Sequence, residues 1–200
     1  MFTGIVQEIG LVSHKEETDA GITLEINTSS RFLKDLNIGA SIAVNGVCLT
    51  VINFSKNKVS FDVIPETLRV TNLKFISKGS EVNLERSLKF GDEVGGHILS
   101  GHVSCTGCSN LIYKDEEVEL LIECPEAWVK YIFLKGYVAI NGASLTVAKK
   151  TDNSFSVFLI PETLNATNLS KISDKDLLNV EVDQTTYAAV KALESRNGEN

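Results

Sequence analysis

The chain has 200 residues, a hydrophobic fraction of 43%, a charged fraction of 22% and a net charge of −7. That length accommodates one large domain or two small ones, and the composition is that of an ordinary globular chain with a core. The acidic balance, without a patch of phosphate-binding Lys and Arg, excludes a nucleic-acid binder, and no apolar run reaches the roughly 18 residues of a membrane-spanning helix.

The first ten residues, MFTGIVQEIG, lack a basic stretch followed by an apolar one. They read as a first strand rather than a signal peptide, which makes the cytoplasm the expected compartment. There, Cys48, Cys105, Cys108 and Cys124 are expected to be reduced thiols. His14 follows in a charged stretch and is read as solvated. Residues 22–26, 58–63 and 81–85 then alternate apolar and polar with period two and are predicted strands. Pro65 follows the second of them and opens a short helical turn, Pro being suited to a first helical position.

After FGDEVGG at 90–96 the pattern starts again. NGVCLTV at 45–51 returns as NGASLTV at 141–147, and IPETL at 64–68 returns unchanged at 160–164, both at a spacing of 96. Thr71-Asn72-Leu73 returns as Thr167-Asn168-Leu169, and Asn83 and Glu85 return as Asn179 and Glu181. Thr3-Gly4-Ile5-Val6 matches Ser100-Gly101-His102-Val103 at a spacing of 97. Strands are predicted again at 119–123 and 154–158. The period is too long for a solenoid repeat and is the size of a small domain. The chain therefore reads as all-β, with homologous domains at 1–96 and 97–186 joined through Gly95 and Gly96. His97, in this glycine hinge, is read as structural. Residues 187–200 are set apart as a helical tail. Asp183 to Thr186 offer capping groups, and Tyr187, Val190 and Leu193 recur at three-residue spacing. With little of its own to pack against, this helix is expected to meet another subunit.

The repeats differ where chemistry would need them to. Cys48 aligns with Ser144, Ser41 with Tyr137, Ile5 with His102 and Gly39 with Lys135. A strand cysteine can be a small buried hydrophobe or a nucleophile. His102 can be structural or a proton shuttle at neutral pH. Ser144 and Thr146 are two apart on a strand and so share a face suited to ring carbonyls and nitrogens, or simply reflect β-propensity. Lys135 interrupts the apolar run YIFLKGYVAI and can snorkel out or meet a ligand. Asp183 can cap the final helix or act as a carboxylate. The Cys105-Thr106-Gly107-Cys108 pair has no second CxxC beside it, and no metal site is expected.

MFTGIV at the start, NGVCLTV, the doubled PETL and GGHILSGHV at 95–103 together resemble the riboflavin synthases of the α-chain type, a lumazine-binding repeat family. The resemblance covers essentially the whole chain. It implies two six-stranded Greek-key barrels in tandem, a C-terminal α-helix and a homotrimer assembled through those helices. It implies two molecules of 6,7-dimethyl-8-ribityllumazine per active site. One gives up a four-carbon unit to the other, yielding riboflavin and 5-amino-6-ribitylamino-2,4(1H,3H)-pyrimidinedione without cofactor or metal. The site is expected between the N-terminal barrel of one subunit and the C-terminal barrel of its neighbour. Association with a lumazine synthase shell is a further implied partner.

Residue by residue, the resemblance implies Cys48 as nucleophile or polar group at the acceptor, with Ser41 or water competing for that task. It implies His102 assisting removal of a proton from the donor's methyl group, and Asp183 as a catalytic carboxylate or cap. One pocket is expected from Gly4, Ile5 and Val6, from Cys48, Leu49 and Thr50, and from Asp62, Val63, Ile64, Pro65, Glu66 and Thr67. The other is expected from Gly101, His102 and Val103, from Lys135, Ser144, Leu145 and Thr146, and from Ile160, Pro161, Glu162, Thr163, Leu164 and Asn165. Thr67 and Thr163 are read as facing the ribityl hydroxyls, with turn capping as their competing explanation. The rival function is a non-catalytic holder of a lumazine or flavin chromophore. A flavin oxidoreductase would need a nicotinamide-binding domain, and no GxGxxG follows a strand here.

Overall fold

Ile22, Leu24 and Ile26 alternate with Thr23 and Glu25, and a strand with that pattern has one face to bury. In the computed structural model, which describes residues 1–197, these three side chains point into a closed barrel and are 5%, 0% and 0% exposed. The barrel is built from β1 (Glu8–Thr18), β2 (Gly21–Asn27), β3 (Ser41–Val44), β4 (Val47–Phe54), β5 (Lys58–Val63) and β6 (Glu81–Arg86). All neighbours are antiparallel, in the closed order β1-β2-β5-β4-β3-β6, a Greek key.

The second barrel repeats this with β7 (Cys105–Lys114), β8 (Glu117–Glu123), β9 (Tyr137–Ile140), β10 (Ala143–Lys150), β11 (Ser154–Phe158) and β12 (Leu177–Val182). Its closed order, β7-β8-β11-β10-β9-β12, is the same order displaced by one repeat. The short helices α1 (Pro65–Val70) and α3 (Pro161–Ala166) occupy equivalent places, each with its proline at the start; α2 (Glu126–Val129) occurs in the second repeat and α4 (Gln184–Asn197) closes the chain.

The NG pairs are hairpin turns. Asn45 and Gly46 have φ of 47° and 78°, and Asn141 and Gly142 have 45° and 81°. Two consecutive positive φ values join strands whose twist matches, which is why Asn-Gly is favoured there. The two turns also meet. A Cβ on Gly46 would lie 2.7 Å from the Gly142 nitrogen, and one on Gly142 would lie 2.8 Å from the Gly46 nitrogen. Glycine at both positions lets the two barrels touch backbone to backbone across a local pseudo-twofold.

Asparagines stitch this contact from both sides. Asn72 Nδ2 donates to Asn141 Oδ1 at 3.0 Å and to the Leu177 carbonyl at 3.1 Å. Its equivalent, Asn168 Nδ2, donates to Asn45 Oδ1 and the Glu81 carbonyl, both at 3.1 Å. Asn83 Nδ2 reaches the Asn141 carbonyl at 2.9 Å and Asn179 Nδ2 the Asn45 carbonyl at 2.8 Å. All six asparagines are buried. The repeated Thr-Asn-Leu and Asn-x-Glu segments thus hold the barrels in register, since a buried amide needs its partners.

Two expectations are corrected. Strand β1 begins at Glu8, so residues 1–7 are not a strand of the barrel; His14 lies within β1, beside Glu16. Helix α4 is also not without a seat. Tyr187 lies on Tyr131 at 4.7 Å and on Trp128 at 6.0 Å between ring centroids, and Val190 packs on the second barrel's core. Lys130 pairs with Glu194 at 2.7 Å along the same contact. Leu193 remains 59% exposed.

Candidate active site

On the first barrel, Ser41 lies directly across from Thr50, and Ala43 across from Cys48. Directly opposed residues share a face. Ser41, Cys48 and Thr50 therefore line the outer face of β3 and β4, while Ile42, Leu49 and Val51 fill the barrel. The second barrel repeats this, with Tyr137 across from Thr146 and Ala139 across from Ser144. Leu145 and Val147 turn inward. Val63, Leu49 and Leu145 were expected to line the pockets, but their side chains are core residues 1%, 5% and 8% exposed, so only their backbone faces outward.

The segment preceding each barrel crosses to the other. Thr3 donates through N and Oγ1 to Glu85 Oε1 at 2.6 and 2.7 Å, and Gly4 N donates to Glu85 Oε2 at 3.1 Å. The Gly4 carbonyl then accepts from Ser144 N at 2.8 Å, and Val6 packs on the second barrel's core. The mirror arrangement is present. Ser100 donates through N and Oγ to Glu181 Oε1, both at 2.7 Å, and Gly101 N to Oε2 at 3.1 Å. The Gly101 carbonyl accepts from Cys48 N at 2.9 Å, and Val103 packs on the first barrel's core. Phe2 and Leu99 bridge the two crossing segments.

This corrects the expected distribution of polar groups. The alignment set the imidazole of His102 in the C-terminal barrel, opposite the thiol. The crossing lays its segment on the N-terminal barrel beside Cys48, and lays Ile5 beside Ser144. His102 and Ile5 are both exposed. Gly101 has φ +79°, and a Cβ there would lie 2.6 Å from the Cys48 Cβ. Gly4 has φ +75°, and its Cβ would meet the Ser144 Cβ at 2.5 Å. Glycine is needed at both for conformation and for space. Burial pushes the Glu85 and Glu181 carboxyls above the ordinary carboxylate range, while the three hydrogen bonds each accepts pull against that rise.

The C-terminal cleft has a volume of about 360 Å³ and is lined by Lys135, Ser144, Thr146, Phe158, Ile160 and Thr163, among others. At the repeat spacing the N-terminal equivalents are Gly39, Cys48, Thr50, Asp62, Ile64 and Thr67. Asp62 accepts from Thr23 Oγ1 at 2.7 Å; Phe158, its counterpart, lies under the Lys149 ammonium, 5.6 Å from the ring centroid. Lys135 is in a turn before β9, not in a strand, with φ 63° where Gly39 has 85°. Neither α1 nor α3 has a side-chain cap, so Thr67 and Thr163 are not capping residues. Pro65 and Pro161 start these helices, Glu66 pairs with Arg69, Leu164 packs on the second core, and Glu162 and Asn165 face solvent. Asp183 Oδ2 accepts from Thr186 N at 2.7 Å, which makes it the cap of α4. Cys105 and Cys124 are both buried in the second barrel's core, and Cys108 is half-buried.

His97 is the residue that sequence reasoning left out of the site. The residue is 7% exposed, and Nδ1 lies 2.7 Å from Ser144 Oγ. Glu85 and Glu181 were visible as a repeated Asn-x-Glu, but nothing in that spacing indicated a clamp. A larger hollow of about 660 Å³ lies between the barrels, over Asn45, Asn72, Asn141 and Asn168. It lies over the asparagine stitching and away from the aligned thiol and hydroxyl.

The fold builds one framework twice, with unlike side chains on the equivalent outer faces and a cleft of small-molecule size on the second. The family model for the lumazine binding domain matches residues 3–87 and again residues 100–183. The riboflavin synthase of Buchnera aphidicola subsp. Baizongia pistaciae is 40% identical over 197 residues, 97% of this chain and 92% of that protein. The riboflavin synthase of Chlamydia pneumoniae is 42% identical over 96% of this chain and 95% of that protein. That of Escherichia coli strain K12 is 40% identical over 97% and 92%. The chain belongs to the riboflavin synthase family. Among solved structures, LumP complexed with riboflavin superposes with a TM-score of 0.84 at 26% identity, covering 92% of this chain and all of LumP.

Proposed function

We propose that this chain is a riboflavin synthase, a transferase that dismutates two 6,7-dimethyl-8-ribityllumazine molecules into riboflavin and 5-amino-6-ribitylamino-2,4(1H,3H)-pyrimidinedione. The observation that carries the reading is the pair of equivalent outer faces with unlike side chains, one of them lining a cleft. A reaction that consumes one compound twice, in two roles, calls for one site built twice and then made different. Holding both rings in reacting geometry removes much of the entropy barrier of a bimolecular step. Cys48, with Ser41 beside it and His102 brought across from the other repeat, is the reactive end. Cys48 or water adds to the acceptor, and His102 assists proton removal from the donor's methyl group. Lys135, Ser144, Thr146 and Thr163 bind ring and ribityl oxygens in the other cleft, and Asp183 acts at the subunit boundary while capping α4.

The working assembly in this reading is a homotrimer in the cytoplasm, with the N-terminal cleft of one subunit facing the C-terminal cleft of another. Its support is the family and the exposed Leu193 on α4. Docking with a lumazine synthase shell belongs to the same reading. Among the described residues no helix is long and apolar enough to cross a membrane.

The chromophore-holder reading has the likeness to LumP in its favour. Relatives at 40% identity named riboflavin synthase, and Cys48, Ser41, His102 and Ser144 together on the clefts, favour catalysis. Incubation with 6,7-dimethyl-8-ribityllumazine, followed by absorbance, tests it. One riboflavin per two lumazines consumed is expected. Tight binding without riboflavin would leave the chromophore holder.

A further inference from the structure

Ser144 and Cys48 occupy equivalent places, but their surroundings are not equivalent. Ser144 Oγ has an imidazole nitrogen 2.7 Å away, Nδ1 of His97. Among the described residues no imidazole is hydrogen-bonded to Cys48; its backbone N–H meets the Gly101 carbonyl, as that of Ser144 meets Gly4. The His97 ring is itself held. It stacks on Tyr137 with centroids 5.0 Å apart and planes 14° from parallel, and its N–H on the backbone donates to the Thr3 carbonyl at 3.1 Å. Tyr137 takes the place of Ser41 in the first repeat, so the surface that holds the ring is also particular to the second cleft.

The direction of the hydrogen bond follows from the other ring nitrogen. Burial pushes the His97 imidazole below its ordinary value against the opposing field of Asp183, so the neutral ring carries one N–H. Its Nε2 is buried and has no hydrogen-bond partner among the described residues. Orphaned buried N–H groups are rarer than under-satisfied acceptors, so the proton belongs on Nδ1. Nδ1–H then donates to Ser144 Oγ, and the serine's own proton is turned away from the ring. Ser144 lies on the outer face of β10 and lines the cleft with Lys135 and Thr146. Its O–H is left to donate into that cleft.

We propose that His97 is a positioning residue that presents the Ser144 hydroxyl as a fixed hydrogen-bond donor to an acceptor atom, a ring carbonyl or ring nitrogen, of the lumazine in the C-terminal cleft. The proposal rests on the reading that this cleft takes a lumazine. It gives the two clefts different hydrogen-bonding character: a fixed donor in one, a thiol with no such partner in the other. It explains why a histidine sits in the hinge.

The test is a double-mutant cycle in the full-length chain, reading kcat and KM for riboflavin formation from 6,7-dimethyl-8-ribityllumazine. Ser144→Ala and His97→Phe are each expected to lower kcat/KM about tenfold, the size of one lost hydrogen bond. The pair is expected to be no worse than either alone, because both remove the same donor. His97→Gln, whose amide N–H can replace Nδ1–H, is expected to recover most of the loss. Losses that multiply in the pair, or a His97→Phe variant with wild-type kcat/KM, would overturn the positioning role. Should His97→Phe fail to fold, as a melting curve would show, His97→Gln carries the test: kcat/KM as low as that of Ser144→Ala overturns it. Ser144→Ala without effect likewise overturns it, whereas a wild-type chain that forms no riboflavin defeats the underlying functional reading instead.

Discussion

The outer faces of the two barrels share a backbone and differ in their side chains. Cys48 N to the Gly101 carbonyl is 2.9 Å, and Ser144 N to the Gly4 carbonyl is 2.8 Å. Gly39 N to the Val51 carbonyl is 2.8 Å, and Lys135 N to the Val147 carbonyl is 2.9 Å. The inward residues stay apolar in both repeats: Leu49 and Val51 match Leu145 and Val147, while Val59 and Phe61 trade sizes with Phe155 and Val157. Changes of chemical character lie on the outer faces, where Cys48, Ser41, Gly39 and Asp62 stand against Ser144, Tyr137, Lys135 and Phe158. Packing constrains the inner face of a small barrel tightly, and the outer face is free to diverge. After duplication, the outer face could change in character without unfolding the chain.

The comparison is broken most severely by removing a crossing. Gly101→Val would place a branched side chain at φ +79°, with its Cβ 2.6 Å from the Cys48 Cβ and 2.8 Å from the Phe2 ring. Strain and overpacking together should cost about 3 kcal/mol or more. Urea denaturation should show that loss, and activity should disappear with it, because His102 and Cys48 are no longer held together. A variant of wild-type stability would mean the crossing segment is not fixed on the first barrel.

Cys48→Ser makes the clefts alike at their most different position. If the thiol reacts, kcat should fall about tenfold or more while KM changes little. The exchange Cys48→Ser with Ser144→Cys sharpens the point. It is expected to remain as slow as Cys48→Ser, since Tyr137, Lys135 and His97 stay in the second cleft. Recovery of activity would show that the thiol works equally well on either barrel.

Much of this arrangement was legible in the residues. The spacing of 96 gave the duplication, and alternation gave strands at 58–63 and 154–158 with their observed limits. Pairing Cys48 with Ser144 marked two equivalent outer faces, and a cleft lies on the second. The crossing was not legible, because an aligned repeat says which residues are equivalent and not which barrel each one touches. His102 was therefore assigned to the wrong side. His97 was missed because a histidine after two glycines has no pattern of its own; only the packed structure brings it to Ser144. The seat of α4 on Tyr131 and Trp128 was hidden for a similar reason. Those aromatics come from the region around α2, more than fifty residues earlier in the chain.

The clamps give a pH signature shared by both halves. Glu181 has a folded pKa above its ordinary 4.5, chiefly through burial, so the folded state holds its proton more tightly than the unfolded one. That contribution to stability is complete below the unfolded pKa and is lost as pH rises through the folded one. The stability of the wild type relative to Glu181→Gln should therefore decline from pH 4 upward and then level off, and Glu85→Gln should behave alike. Denaturant melts across that range measure it. A relative stability that climbs with pH would mean the carboxylate is favoured by its hydrogen bonds more than it is penalised by burial.

The smallest expected change in stability isolates a single charge. Lys135 has φ 63° at the place where the first repeat has Gly39, and the surrounding turn is the same. A side chain in the left-handed region costs about 1 kcal/mol relative to glycine, while glycine adds a comparable entropy to the unfolded chain. Lys135→Gly should thus leave the melting temperature nearly unchanged. Its effect on KM then reports the ammonium alone. A rise of severalfold at constant kcat would mean the strained lysine is kept for an oxygen of the bound lumazine. The reverse change, Gly39→Lys, brings the same two offsetting contributions into the first repeat and should also leave the melting temperature nearly unchanged, with no gain in KM. If Lys135→Gly binds as well as the wild type, the lysine is not part of what distinguishes the clefts, and the distinction narrows to Cys48 against Ser144 and its histidine.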